Sequence, residues 1–177
     1  MAMTIRQAAP LNGAAILSDD LVAQQLRQDS DHDAFLIDSH RLAALFWIER
    51  HMAVSLQRRG WVATFDGFGS DMRLRRTPIA QVDRVTYIGH SDDPIDGAGL
   101  WRLIDDRLLP TAGQRWPTAT RVVVEFTAGY VDAAIEVPHL RTAALLLIQH
   151  LYEGGSLKDV PDTIAMLCEI DRVPVIG

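Results

Sequence analysis

Val122-Val123-Val124-Glu125-Phe126-Thr127, then Ala128-Gly129-Tyr130, then the run from Pro138 to Gly155, decides how this chain folds. Apart from Glu125, the first six residues are β-branched or aromatic, which predicts a strand inside a packed sheet. Ala128-Gly129-Tyr130 breaks it. Pro138 follows an extended Glu136-Val137 and sits where the first turn of a helix tolerates a residue without an N–H. Leu140, Ala143, Ala144, Leu147, Ile148 and Leu151 then recur at helical spacing, and Gly154-Gly155 supplies the stop. Leu145 and Leu146 fall off that stripe and flank the sector of Arg141, Thr142, Gln149 and Glu153. A surface helix needs one apolar stripe, so the extra leucines leave two readings. The helix is either central to a small monomer or covered in part by a neighbouring subunit.

Upstream, residues 1–17 show no sustained period and are expected to form an arm. Ser18 reads as an N-cap, with Asp19 and Asp20 at the positive end of a helix dipole, and a short helix is predicted over 18–28. Asp29, Asp31 and Asp33 lead into a longer helix over 33–56. There Phe35, Leu36, Ser39, Leu42, Ala43, Phe46, Trp47, Arg50, Ala53 and Val54 hold the register. The period then changes to alternation. Trp61–Phe65, Met72–Arg75, Val82–Ile88, Leu100–Ile104 and Arg107–Leu109, with the strand at Val122, predict about five or six strands in an insertion over 60–128. Gly89–Gly99 reads as a long surface loop. Helices at 138–153 and 161–169 follow, and 172–177 forms an extended apolar tail in which Pro174 forbids helix. The predicted class is α+β, a helical core over 18–171 with an inserted β-rich module.

Composition narrows the function. With 177 residues, a 48% apolar share and a net charge of −6, the chain is a globular protein of ordinary make-up, not a general nucleic-acid binder acting by overall charge. The single cysteine, Cys168, excludes a disulfide within the chain and any multi-cysteine zinc site. No apolar run reaches membrane-spanning length and no signal-peptide pattern opens the chain, so folding in a reducing cytoplasm is expected. Asp29, Asp31 and Asp33 begin like a calcium loop, but Ala34 and His40 stand where that loop needs Gly and Glu. The histidines have no ligand spacing, and neither a phosphate loop nor a nucleophile elbow is present. No enzyme activity, cofactor or metal is expected. Arg73, Arg75 and Arg76 lie on or beside one strand, with Arg73 and Arg75 opposite Met72 and Leu74. They are a solvated face, a lining for passing DNA, or ion-pair partners of an acidic neighbour.

Glu125-Phe126-Thr127-Ala128-Gly129-Tyr130, Val137-Pro138-His139-Leu140-Arg141 and His150-Leu151-Tyr152-Glu153 together resemble the C-terminal half of the head–tail connector (adaptor) proteins of tailed bacteriophages and gene transfer agents. Leu26-Arg27 before the aspartates resembles the same family's first helix and linker, and the resemblance extends over roughly Ser18 to Arg172. It implies a structural virion protein, assembled in the host cytoplasm, that forms a ring of about twelve copies under the portal. Such a ring joins the DNA-filled head to the neck and tail and leaves a DNA channel. The partners implied are the portal protein and a neck or tail-completion protein, with no membrane and no cofactor. On this reading Arg172, Val173, Pro174, Val175 and Ile176 dock on the portal or a neighbour, and Leu145, Leu146 and Gln149 lie at a subunit interface. Arg73, Arg75 and Arg76 face the channel or an ion-pair partner. The alternative is a small cytoplasmic ligand-binding or regulatory module that dimerises through the extra leucines.

Overall fold

A computed structural model describes residues 2–27, 34–70 and 72–170. The acidic linker with Asp29, Asp31, His32 and Asp33, and the tail Arg172–Ile176, lie outside the described residues. The fold is α+β, and the chain divides into two compact units, Met1–Pro10 with Arg58–Tyr130 and Leu11–Gln57 with Val131–Gly177. One unit is built of strands and the other of helices.

The strand unit is organised on β8 (Arg121–Ala128), where Val122, Val124, Phe126 and Ala128 alternate inward and are buried. It pairs antiparallel with β2 (Arg59–Phe65) on one side and β4 (Ile79–Ile88) on the other. Register shifts between Ile79 and Gln81 and between Val82 and Arg84 mark two irregularities in β4. The residues expected as an arm supply an edge instead: β1 (Met3–Gln7) pairs with β2, matching Met3 to Phe65 and Gln7 to Trp61. The expected loop 89–99 also contains a strand, β5 (Pro94–Asp96), which closes the other edge in the order β1-β2-β8-β4-β5. A second, three-stranded sheet has the order β3 (Met72–Arg73), β7 (Arg107–Pro110), β6 (Trp101–Ile104). Asp105, in the left-handed region at φ 54°, turns β6 into β7. Both sheets contribute to one apolar core, in which Trp61, Phe65 and Phe126 meet Met72, Leu74 and Leu108.

In the helical unit, α1 (Gly13–Ile16) is capped by Asn12 and α2 (Asp19–Leu26) by Ser18, whose hydroxyl accepts from the Leu21 N–H. The long helix, α3 (Ala34–Met52), stops earlier than its spacing suggests. Ala53 turns left-handed at φ 55° and the Val54 N–H donates back to the Glu49 carbonyl, a Schellman-type end. Glu136 is not extended but closes a one-turn helix, α4 (Ala133–Glu136), whose Asp132 cap accepts from the Ala134 N–H. Its carboxylate accepts from the N–H groups of Val131 and Asp132. Then comes α5 (Pro138–Tyr152), ended by Gly154 at φ 92° and a Gly155 N–H to His150 carbonyl bond of 2.9 Å. The last helix is α6 (Asp162–Cys168). The hub is α5: Leu140, Ala143, Ala144, Leu147 and Ile148 of the stripe its spacing predicts are buried, the sixth member Leu151 is half-buried, and α2, α3, α4 and α6 pack around the helix.

The stripe quoted above for α3 is largely the outer one: Leu42, Ala43 and Trp47 are half-buried in it, and Ala53 and the buried Val54 lie beyond the helix end. Its buried face carries Arg41, Ala44, Leu45, Ile48 and Glu49, while Phe35, Ser39, Phe46 and Arg50 are exposed. Two charged residues on the inner face explain the inversion. Arg41 pairs with Asp19 and lies 3.8 Å from Asp38, and Glu49 accepts the buried Leu56 N–H at 2.7 Å. A buried charge is tolerated where it is paired and hydrogen-bonded.

Candidate functional site

The three arginines of the strand unit have different surroundings. Leu74, buried, anchors them by donating its N–H to the Asp106 carbonyl at 2.8 Å. Beside it, the half-buried Arg73 guanidinium stands 3.6 Å from the Asp106 carboxylate, at the turn of the β6–β7 hairpin. Arg76 folds inward: its guanidinium lies 4.8 Å from the centre of the Trp61 ring and donates to the Arg75 carbonyl at 2.8 Å. Arg59 approaches the same ring at 4.5 Å. Trp61 thus holds two guanidinium groups at cation–π distance. Arg75 alone of the three predicted residues is exposed. The alternation that sets Arg73 and Arg75 opposite Met72 and Leu74 is present, but it does not bring the three arginines onto a single face.

On α5, Leu145 and Leu146 are half-buried, and so is Gln149. The Gln149 carboxamide is used on both sides, accepting from the Gln25 side chain at 2.7 Å and donating to Glu153 at 2.8 Å. Larger apolar exposure in the helical unit lies elsewhere: on Phe35, Leu36 and Phe46 of α3, on Val131 and Ile135 at α4, and on Met166 and Ile170 at α6. The sequence carried a signal for the α3 patch. That helix is apolar on both sides, which its spacing alone does not resolve into inner and outer faces.

Chemistry-bearing groups are dispersed. Among the described residues no cluster of three His, Cys, Asp or Glu side chains is positioned to hold a metal ion, and no helix is long and apolar enough to cross a membrane. Cys168 is fully buried, and that burial, with the charge of Glu169 beside it, pushes its thiol from 9.0 up to about 11. It is a packed apolar side chain and not a nucleophile at neutral pH. A cleft lined by Ala15, Leu56, Gln57 and Ala134 has a volume of about 220 Å³, below the usual range of small-molecule sites.

No protein-family model matches the chain, and no curated protein does. Solved structures do match. A chain from the neck of an empty gene transfer agent particle, computed with sixfold symmetry, is similar at a TM-score of 0.78 and 25% identity, over 98% of both chains. A chain from the virion of a native gene transfer agent particle is similar at 0.76 and 25% identity, over 98% of this chain and 97% of that one. A chain from the neck of a native particle, computed with twelvefold symmetry, gives 0.71 and 26% identity over 98% of both. Strand unit and helical unit together are therefore similar to a structural chain of a virion neck.

Proposed function

We propose that this chain is a head–tail connector: a structural protein of the neck of a phage-like or gene transfer agent particle. In this reading about twelve copies form a closed ring under the portal protein and join the DNA-filled head to a neck or tail-completion protein. The ring leaves a channel for DNA. The observation that carries the reading is similarity over 98% of the chain to chains of gene transfer agent necks computed with sixfold and twelvefold symmetry. Its action is binding, with no chemical step. Arg172, Val173, Pro174, Val175 and Ile176 dock on the portal or a neighbour by adding an extended segment to a sheet edge. Leu145, Leu146 and Gln149 contribute to the subunit contact, and the 89–99 segment meets the next neck component. Arg75 is the arginine best exposed to face the channel, because Arg73 and Arg76 are engaged with Asp106 and Trp61.

The test is made on particles from producing cells. Mass spectrometry of purified particles detects the chain, and electron microscopy assigns it to the neck. Particles that contain portal and tail proteins but lack this chain would reject the reading. Deleting residues 171–177 leaves the domain folded and abolishes its attachment to portal-bearing particles. Undiminished attachment would remove the tail from the mechanism and leave the ring standing.

A further inference from the structure

We infer that the outer face of α3, centred on Phe46, is covered by the next copy of this chain, so that the long helix itself is the seam of the ring. The inference rests on the connector reading above. On a helical projection, the arc opposite the buried Arg41–Ile48 face carries Phe35, Leu36, Ala43, Phe46 and Trp47, with Ser39 and Arg50 as its polar members. A helix exposed on one side carries charged and polar residues there; one that is apolar all round is covered all round. Yet Phe35 is 91% exposed, Leu36 44% and Phe46 40%. Trp47 and His51 stack at 4.7 Å between ring centroids, which fixes a flat aromatic pair one turn along the same helix. Exposed aromatic and aliphatic side chains recurring along one helix face, interrupted by Ser39 and Arg50, are what a contact surface carries.

Two observations select a second copy as the occupant. The chains to which this one is similar come from necks computed with sixfold and twelvefold symmetry, and in a closed ring of that kind each subunit has a like neighbour on both sides. A ring contact is also heterologous, pairing two unlike patches of one subunit. The helical unit provides a second patch of the required kind in Val131 and Ile135, 72% and 77% exposed. The strip on α3 and the Val131–Ile135 pair are unlike in shape and sequence, as the two halves of a head-to-tail seam are.

The experiment replaces Phe46 with the photo-crosslinker benzoylphenylalanine in the full chain and irradiates assembled particles. The expected product is a dimer of this chain, with the crosslink mapping outside α3. A crosslink to portal or to another neck protein would overturn the assignment of the occupant. A crosslink from position 46 to position 46 would indicate a twofold contact and overturn the ring seam. No crosslink from a chain present in the particle would overturn both. If the chain is absent from particles, the connector reading itself fails, which is a different result. As a second arm, Phe46→Arg is expected to lower incorporation into necks by at least about tenfold, with the melting temperature of the isolated protein unchanged. Normal incorporation of that variant would also reject the seam.

Discussion

The two units of this chain dispose of their apolar residues differently. In the strand unit, alternation directs Val122, Val124, Phe126 and Ala128 into a core shared by two sheets, and among the described residues its exposed large apolar side chains are Ile95 and Ile104. In the helical unit, the hub helix α5 has a buried stripe, but Phe35, Leu36, Phe46, Val131, Ile135, Leu157, Met166 and Ile170 stay exposed among the described residues. The strand unit buries nearly all of its large apolar side chains; the helical unit keeps several of its own outside its core. A period-2 strand commits each side chain to one of two faces, so a sheet pair can sort its residues almost fully. A helix spreads residues around a full turn, and a surplus of apolar ones has to point outward somewhere.

The sharpest way to break this contrast is to remove a side chain from the self-contained core. Phe126 is fully buried in the central strand, and Phe126→Ala is expected to cost about 3–5 kcal/mol, read as a lowered denaturant midpoint in the isolated protein. A loss under about 1 kcal/mol would mean the two-sheet core is looser than its burial indicates. The helical unit's own internal dependence is probed at Glu49, which is buried and accepts the Leu56 N–H at 2.7 Å. Glu49→Ala strands that buried donor and is expected to cost about 1–3 kcal/mol. An unchanged midpoint would show that water or another acceptor replaces the carboxylate.

Cys168 provides a pH test of how firmly the end of the helical unit is packed. Burial raises its thiol from 9.0 to about 11. Below pH 9 both folded and unfolded chains keep the proton, and the thiol contributes no pH dependence. Between 9 and about 11 only the unfolded chain ionises, so stability falls as pH rises; above that both are ionised and the fall levels off. Cys168→Ala should remove this alkaline slope, measured by chemical denaturation across the window. Thiol-reactive dye should label the native protein slowly at neutral pH and quickly once it is unfolded. Fast native labelling would mean that α6 opens freely.

What was legible in the sequence follows the same division. β8 and α5 could be read because their periods are clean and each has one dominant buried face. β1 and β5 could not. Met3-Thr4-Ile5-Arg6-Gln7 alternates over too few residues to stand out, and Pro94-Ile95-Asp96 is exposed throughout, held at the sheet edge by backbone pairing and not by a buried face. α3 was legible as a helix but not in its orientation, because the inner face spends two positions on Arg41 and Glu49 while the outer face is greasy. The arginines show the limit of local pattern. Alternation orders Arg73 and Arg75 correctly, but Asp106 comes from a distant hairpin and Trp61 from another strand, and those contacts decide which guanidinium remains outward. The α4 turn was missed for a related reason: Asp132 caps it and Glu136 folds back on it, a local exchange with no periodicity to reveal it.

The smallest expected effect is the most informative about the contrast. Ile135 is large, apolar and 77% exposed, so in the isolated protein Ile135→Ser removes little buried area and should change stability by no more than about 0.5 kcal/mol. A core position of the same size behaves oppositely, since there the lost transfer energy and the cavity add. If the helical unit's outward residues are surface reserved for a neighbour, the cost of Ile135→Ser appears only on assembly, as fewer chains retained in particle necks. Melting of the isolated variant and its retention in particles therefore separate two explanations that static exposure leaves together. A large loss in the isolated protein would mean Ile135 stabilises its own subunit and the unit is less open than described. Equal melting with equal retention would mean the exposed isoleucine is incidental, and the surplus that distinguishes the helical unit would shrink to the strip on α3.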